Sequence, residues 1–247
     1  MSDPAPYYAD DLVTLYHGDC REIGAWLAAG VLVTDPPYGI DQGVKGPRRD
    51  GSKGLVTNSG RVRIKGDLDT SLRDCALVMW GEDRPALIFG SWKAPRPAAT
   101  RARLLWLKAG TIPCLGYTPW SPADEEIYVL GRGWGKPTSL NYITTNEARA
   151  GSGGLGAVVG HPTPKPLNLM RQLIALCPQG VIADPFAGSG STLLAARDLG
   201  RRAIGVEADE RYCEIAAKRC AQGVLLTDPG PTAAGDPAEQ LSLIGGD

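Results

Sequence analysis

An acid followed by two prolines and an aromatic residue is the most specific chemical signal in this sequence. Asp35, Pro36, Pro37 and Tyr38 come directly after Val31–Thr34, a short β-branched run that predicts a buried strand. Two prolines stiffen the backbone, so the carboxylate and the ring are held side by side. A turn with a packing tyrosine is the structural alternative, because proline and aspartate are common in turns. We predict that these four residues are catalytic.

A glycine-rich loop between a predicted strand and a predicted helix indicates a nucleotide site. The residues from Asp184 to Thr192 read DPFAGSGST, and such a loop lets backbone approach a ligand at a helix N-terminus. The next predicted strand ends at Glu207, whose carboxylate can accept hydrogen bonds from two ribose hydroxyls. The pair favours an adenosine-containing cofactor. A plain strand-to-helix turn is one alternative, and a nicotinamide-dependent oxidoreductase is another, although the G-x-G-x-x-G spacing is missing.

Four segments, in this order along the chain, resemble the DNA amino-methyltransferases, in particular the β subgroup, whose catalytic half precedes the cofactor half. They are Gly18-Asp19-Cys20, Asp35-Pro-Pro-Tyr38-Gly39, His161-Pro-Thr-Pro-Lys165-Pro166 and Asp184-Pro-Phe-Ala-Gly-Ser-Gly190. The resemblance covers roughly residues 12 to 222. It implies S-adenosylmethionine as the cofactor and double-stranded DNA as the substrate.

The resemblance also implies the roles of individual residues. Asp35 to Tyr38 hold the flipped target base, Glu207 holds the ribose, and the segment from His161 to Pro166 closes over the methionine end of the cofactor, with His161 binding rather than moving protons. The expected cofactor-binding residues are Asp19, Cys20, Asp35, His161, Pro162, Lys165, Asp184, Phe186, Gly188, Ser189, Gly190, Thr192 and Glu207.

The target atom is predicted to be N6 of adenine. An acid at position 35 resembles the adenine enzymes more than the cytosine N4 enzymes, in which serine is frequent there. Cytosine N4 is therefore the main alternative, and RNA, a protein glutamine or a non-enzymatic DNA-binding role are further ones. We expect Asp35 and the Pro36 carbonyl to accept the two amino protons, while Tyr38 stacks on the extruded base.

A basic, glycine-rich loop over residues 39–66 is the predicted DNA contact. A mobile loop of this length inside a domain is usually functional, although a solvated charged surface is the simpler interpretation. Residues 131–160 form a short predicted recognition insertion, so no large target-recognition domain is expected. The basic side chains of the loop are Lys45, Arg48, Arg49, Lys53, Arg61, Arg63 and Lys65.

The elements that must position these residues predict one α/β domain over residues 1–225. Strands are expected at 12–16, 31–34, 86–89, 103–107, 126–130, 181–183 and 203–206, the fourth and fifth of them antiparallel, with helices from Pro166 to near Cys177, at 191–199 and at 209–221. The family resemblance implies a doubly wound, seven-stranded, mostly parallel sheet with one reversed strand, which is the methyltransferase fold in circularly permuted order. We expect strand 12–16 to lie beside 203–206, because Asp19 must reach the same adenosine as Glu207.

Composition narrows the class of protein. With 43% hydrophobic and 21% charged residues and no long apolar run, the 247-residue chain predicts a globular cytoplasmic protein, without a membrane span or signal peptide. Six scattered cysteines and two histidines predict reduced thiols and no metal site. The net charge of −1 gives no general support for DNA binding. A monomer or homodimer is expected.

The C-terminal residues 226–247 are predicted to be a flexible tail, because they are rich in proline and glycine. Within the tail, Gln240 to Ile244 resembles the short peptides that dock into bacterial sliding clamps, although an isoleucine replaces the usual aromatic anchor. A tail that packs back on its own domain is the structural alternative.

Overall fold

The protein is built around one large β-sheet with helices on both faces. The computed structural model describes residues 3–38, 44–45, 61–62, 69–109, 123–136, 140–145 and 164–222. The strands are β1 (Tyr8–Ala9), β2 (Val13–His17), β3 (Val31–Thr34), β4 (Val44–Lys45), β5 (Arg61–Val62), β6 (Ala86–Gly90), β7 (Thr100–Lys108), β8 (Asp124–Leu130), β9 (Tyr142–Thr145), β10 (Ile182–Asp184) and β11 (Ala203–Glu207). The helices are a 3₁₀ turn (Ala25–Ala28), α1 (Ser71–Trp80), α2 (Leu167–Ala175), α3 (Ser191–Asp198) and α4 (Glu210–Gln222).

Nine of the described strands form the sheet, in the order β1-β2-β11-β10-β3-β6-β8-β7-β9. The seven strands from β2 to β7 in this order are parallel except for β8, which runs antiparallel to both of its neighbours. This part is the predicted sheet with one reversed strand. The expected count of seven was too low, because short strands β1 and β9 extend the two edges.

The helices divide into two layers because side chains alternate along each strand. Val31 and Val33 belong to the core cluster that also contains the apolar faces of α2, α3 and α4. Leu32 lies in the cluster on the other face, with Trp26 of the 3₁₀ turn and Trp80 of α1. All four residues of β3 are buried, as expected for a central parallel strand covered on both sides. The doubly wound architecture is therefore confirmed.

The first long strand and the last strand are neighbours in the sheet. Strand β2 pairs in parallel with β11 over five residues, from Val13 opposite Ala203 to His17 opposite Glu207. The predicted pairing is confirmed, and it brings the turn after β2 beside the end of β11. The backbone N–H of Gly18 donates to the carbonyl of Glu207 at 2.9 Å.

Several described elements were not predicted from the sequence. Helix α1 was not predicted; its buried residues include Ala76 and Trp80, whereas Val78 is exposed. Within the segment 39–66, the backbones of β4 and β5 form a two-residue antiparallel ladder rather than irregular loop. Within the segment 131–160, β9 is a strand of the main sheet, where it supplies hydrogen-bond partners to the outer edge of β7.

Cysteines in the described residues are free thiols. Cys20, Cys177, Cys213 and Cys220 are buried, and Cys75 is exposed. In the same parts of the chain, no helix combines the length and the apolar character that crossing a membrane requires.

Candidate active site

The chain changes its winding direction between β3 and β10. These two parallel strands are adjacent in the sheet. From β3 the chain continues towards β6 on one side, and from β10 it continues through α3 to β11 on the other side. Ligands of such sheets bind in the crevice at the carboxyl ends of the strands at this point. Asp35 follows β3 and Asp184 ends β10, so both acids lie at that crevice.

The Asp-Pro-Pro-Tyr motif folds back on itself through a hydrogen bond. The hydroxyl of Tyr38 donates to Oδ1 of Asp35 at 2.7 Å. The side chains of both residues are partly buried, and Pro36 between them in the chain is buried. The motif therefore holds the carboxylate and the phenol ring in one fixed arrangement, as the two prolines predicted.

A lysine from outside the motif binds the other carboxylate oxygen. Nζ of Lys165 lies 2.8 Å from Oδ2 of Asp35 and 3.1 Å from the hydroxyl of Tyr38. Lys165 is only 8% exposed, and its ammonium also lies over the ring of Phe89, 4.8 Å from the ring centre. The sequence assigned Lys165 to the cofactor, whereas in the structure its contacts are with the catalytic motif.

Two further charged residues complete the cluster. Oε2 of Glu125 lies 3.0 Å from Nζ of Lys165 and accepts a longer hydrogen bond of 3.3 Å from Tyr38, while its other oxygen is paired with Lys108. Glu125 and Lys108 were missed by the sequence analysis. Glu125 is near the beginning of β8, and because β8 is reversed its first residues lie at the same sheet edge as the end of β3.

Burial and charge act in opposite directions on these groups. Burial raises the pKa of Asp35 above its usual range, and Lys165 opposes that change. Burial also disfavours the charged form of Glu125, but Lys165 and Lys108 together bring its pKa below the usual value. Burial alone would lower the pKa of Lys165, yet the two carboxylates raise it. Lys165 is therefore a cation held between two anions.

The glycine-rich loop after β10 is fixed by backbone hydrogen bonds. Gly188 and Gly190 have positive φ angles of 52° and 81°, and Gly190 is the N-cap of α3. The N–H of Gly188 donates to Oε2 of Glu207 at 2.7 Å. The N–H of Phe186 donates to Oδ1 of Asp184 at 3.1 Å, and the hydroxyl of Thr34 donates to the same oxygen at 2.6 Å. The loop is thus tied to β3, β10 and β11 together.

The remaining predicted cofactor residues differ in how accessible they are. Glu207 is partly buried, and its second oxygen accepts a hydrogen bond from the N–H of Asp209 at 2.8 Å. Asp19 is paired with Arg21 at 2.6 Å on the turn that contacts β11. Cys20, Ser189 and Thr192 are buried, at 3%, 3% and 4% exposure. These three side chains therefore expose little surface.

Several predicted site residues lie outside the described parts of the chain. These are His161 and Pro162, the side chains of the basic loop (Lys45, Arg48, Arg49, Lys53, Arg61, Arg63 and Lys65), and the segment from Gln240 to Ile244. One exposed aromatic residue at the described edge was not predicted. Trp92 follows β6 and is 72% exposed, and the ammonium of Lys93 lies 5.7 Å from its ring centre.

Part of the chain matches the sequence model of a known protein family. Residues 120–218 match the sequence model of the N6/N4 methylases, described as "DNA methylase". This segment, 99 of the 247 residues, is similar to that family. The matched segment contains Glu125, Lys165, the glycine loop and Glu207, but the Asp35 motif lies outside it.

Curated type II methyltransferases match parts of the chain at 41% and 49% identity. The type II methyltransferase M2.DpnII of Streptococcus pneumoniae is 49% identical over 61 residues, which are 24% of this chain and 23% of that protein. The type II methyltransferase M.HinfI of Haemophilus influenzae is 41% identical over 135 residues, which are 47% of this chain and 38% of that protein. The chain thus spans well under half the length of the curated relatives that it matches.

Two solved structures share the fold over most of the chain. The crystal structure of M1.HpyAVI is 20% identical, with a TM-score of 0.57, over 85% of this chain and 98% of that one. The PvuII DNA methyltransferase, described as cytosine-N4-specific, is 15% identical, with a TM-score of 0.59, over 99% and 95%. The predicted fold class is confirmed by these structures.

Proposed function

We propose that the protein is an S-adenosylmethionine-dependent DNA methyltransferase that methylates N6 of adenine. The observation that carries the proposal is the meeting of the Asp35 motif and the glycine loop at the β3/β10 switch point. Thr34, the residue before Asp35, is hydrogen-bonded to Asp184, the residue that begins the glycine loop. A methyl acceptor bound at Asp35 and a donor bound at the loop would therefore be neighbours, as direct transfer requires.

The residues after β10 and β11 fit an adenosine-containing cofactor. Each carboxylate oxygen of Glu207 accepts one backbone hydrogen bond and, having two lone pairs, can accept another from a ribose hydroxyl. Asp19 is held near Glu207 by the β2/β11 pairing, in a position suited to the adenine amino group. A structure of M1.HpyAVI, which shares the fold, is described as a complex with S-adenosylmethionine.

In the proposed mechanism, Asp35 orients the amino group that is methylated. Bound S-adenosylmethionine supplies an electrophilic methyl group on a sulfonium. The carboxylate of Asp35 and the carbonyl of Pro36 accept the two amino hydrogens, so that the nitrogen lone pair is freed from the ring and directed at the methyl group. As the new N–C bond forms and the S–C bond breaks, the nitrogen loses one proton, for which Asp35 is the adjacent acceptor.

The choice of adenine rests on Asp35, and cytosine N4 is the competing target. The match to the N6/N4 methylases supports both bases equally. Digestion of methylated DNA to nucleosides, followed by mass spectrometry, distinguishes N6-methyladenine from N4-methylcytosine. Parallel reactions with RNA of the same sequence test the nucleic-acid class. Recovery of methylated cytosine alone would contradict the adenine assignment.

The proposed DNA-binding surface faces the carboxyl ends of the strands. The basic segment of residues 39–66 begins in the sequence directly after the Asp35 motif. Among the described residues, exposed Trp92 and Lys93 follow the adjacent strand β6 at the same edge. An aromatic ring beside a cation suits contact with an unstacked base and its phosphate.

Replacing Asp35 with alanine tests the proposed function. We expect methyl incorporation into duplex DNA to be lost while S-adenosylmethionine binding, measured by calorimetry, is largely retained. Asp83→Ala is the matched control, because Asp83 is an exposed carboxylate that pairs with Arg132 away from the site. Full methyl transfer by the Asp35→Ala variant would contradict the proposal. Binding of a nicotinamide cofactor instead of S-adenosylmethionine would point to the oxidoreductase alternative.

A further inference from the structure

We propose that Lys165 and Glu125 are positioning residues: Lys165 fixes the carboxylate of Asp35 and keeps it in the form that accepts hydrogen bonds from the target amino group, and Glu125 holds Lys165 in place. The inference rests on the proposed methyl transfer. It goes beyond the sequence assignments, in which Lys165 belonged to the cofactor site and Glu125 had no role.

The orientation of Asp35 is set by two different groups. Oδ2 is bound by the ammonium of Lys165 at 2.8 Å, and Oδ1 is bound by the hydroxyl of Tyr38 at 2.7 Å. A carboxylate held at both oxygens cannot rotate about its last bond without breaking one contact. Each oxygen still has a free lone pair, so one of them can accept an amino hydrogen.

Glu125 in turn sets the position of Lys165. The ammonium lies 3.0 Å from Oε2 of Glu125, and Lys108 holds the other oxygen of that carboxylate. Glu125 and Lys108 belong to β8 and β7, which are paired along their length, so this end of the cluster is part of the sheet. Lys165 comes from the segment before α2. The cluster thus connects that segment to the catalytic motif through the sheet.

The charges around Asp35 explain why the lysine is needed. Asp35 is faced by Lys165, Glu125 and Tyr38, with Lys108 behind Glu125 and Asp184 on the neighbouring strand β10. Without Lys165, three buried or partly buried acids would share one crevice, and like charges at close range favour protonation. Protonation would place a hydrogen on one carboxyl oxygen of Asp35. That oxygen would then donate a hydrogen bond instead of accepting one from the target amino group.

The two positioning residues must therefore shift the pKa of Asp35 in opposite directions. Lys165 lowers that pKa and Glu125 raises it. We expect Lys165→Met to raise the pKa of Asp35 by about one unit or more, and Glu125→Gln to lower it. Glu126→Gln is the matched control, because Glu126 points to the opposite face of β8 and pairs with Arg103; it should leave the pKa of Asp35 unchanged.

Carbon-13 NMR titration of the Asp35 carboxyl measures these changes in pKa without any turnover. Changes of opposite sign in the two variants support the inference, whereas an unchanged pKa or equal changes overturn it. Glu125→Gln is isosteric, so it remains informative even if Lys165→Met does not fold. A role in packing alone would not change the pKa in opposite directions.

The pH profile of methyl transfer separates this inference from the proposed function. If Asp35 acts as the carboxylate, the acidic limb of kcat should move to higher pH in Lys165→Met, and the rate on that limb should fall about tenfold for each pH unit that it moves. Affinity for S-adenosylmethionine should stay unchanged in both variants. An inactive wild-type protein with the expected NMR titrations would contradict the function alone. An active wild-type protein whose variants keep its pH profile would contradict the positioning role alone.

Discussion

Asp184 is the buried acid beneath the glycine loop, and burial raises its pKa to about 6. The native state then binds a proton more tightly than the unfolded chain. The contribution of protonated Asp184 to the free energy of unfolding is therefore fully present below about pH 4 and is lost as the pH rises through 6. Two pKa units correspond to about 3 kcal/mol. Asp184→Asn should remove this loss, since Oδ1 can still accept from Thr34 and Phe186.

Urea unfolding at a series of pH values checks this prediction for Asp184. The difference in unfolding free energy, Asp184→Asn minus wild type, should rise by up to about 3 kcal/mol between pH 4 and pH 7. A difference that stays constant across this range would show that the carboxyl does not titrate in the native protein as its burial requires.

Trp92 is expected to contact DNA. Trp92→Ala should weaken binding to a duplex with a mismatched target base by about tenfold, because stacking on an aromatic ring contributes roughly 1–3 kcal/mol per base. Fluorescence anisotropy of labelled DNA measures the change. Val78→Ala is the control: Val78 is also exposed, but it lies in the last turn of α1, towards the amino end of β6. If both variants weaken DNA binding equally, Trp92 is not part of the DNA-binding surface.

The sequence predicted those site residues that are local motifs, and it missed those that depend on strand pairing. Asp35 and Tyr38 are fixed by the prolines between them, so their arrangement can be predicted from four consecutive residues. Glu125 joins them only because β8 is reversed, which brings its first residues to the carboxyl edge of the parallel strands. Lys108 joins through the register of β7 against β8. The antiparallel direction of β7 and β8 was expected, but the register of these strands cannot be derived from the residues around them.

At the level of elements, the start of α3 depends on close packing against α4. A Cβ added to Gly190 would lie 2.9 Å from Cβ of Ala216 in α4. Gly200, just after α3, also has a positive φ, of 67°, but no atom lies within 4 Å of its added Cβ. Both alanine variants share the backbone strain, and only Gly190→Ala adds the clash.

Thermal unfolding of the two variants separates the clash from the strain. We expect Gly190→Ala to lose about 1–3 kcal/mol more stability than Gly200→Ala, the usual cost of overpacking a core. Affinity for S-adenosylmethionine should fall in Gly190→Ala, because the glycine loop must shift with the helix. Similar melting temperatures for both variants would show that α3 and α4 can move apart freely.

The elements themselves were predicted where their pattern is strong. Strands β7 and β8 contain short apolar runs, helix α2 has apolar residues at helical spacing, and all three were expected. Helix α1 was missed because Arg73 is buried while Val78 is exposed, so its buried face does not coincide with its apolar residues. Strand β9 was missed because it pairs only at the outer edge of the sheet, where a strand needs few buried residues.

At the level of the molecule, the net charge of −1 means that DNA binding depends on where the cations are. Replacing Arg48, Arg49, Arg61 and Arg63 with alanine should weaken DNA binding. It should also reduce the slope of log affinity against log salt by up to about 3–4, because each phosphate contact contributes about 0.9. Arg101→Ala with Arg132→Ala is the control at the opposite edge, where both arginines pair with Asp83. An unchanged slope in the fourfold variant would place the DNA surface elsewhere.

The whole-molecule architecture was predictable because the family resemblance fixes the strand order, which composition and periodicity do not. The alternation of strands and helices after residue 166 predicted a parallel sheet, and the expected roles of Asp19 and Glu207 predicted that β2 and β11 are neighbours. The two extra edge strands lie outside that shared core. They alter the strand count without moving the switch point.

The neighbourhood of β2 and β11 has a consequence for how the chain folds during synthesis. Val13 pairs with Ala203, which lies 190 positions later in the chain. Closing a loop of that length costs about 5 kcal/mol of chain entropy. Until the ribosome releases β11, one edge of β2 has only water or another nascent chain to bond, while the short hairpin with β1 shields the other edge. Folding of the native sheet is therefore expected to be slow, because it needs this pairing between distant parts of the chain.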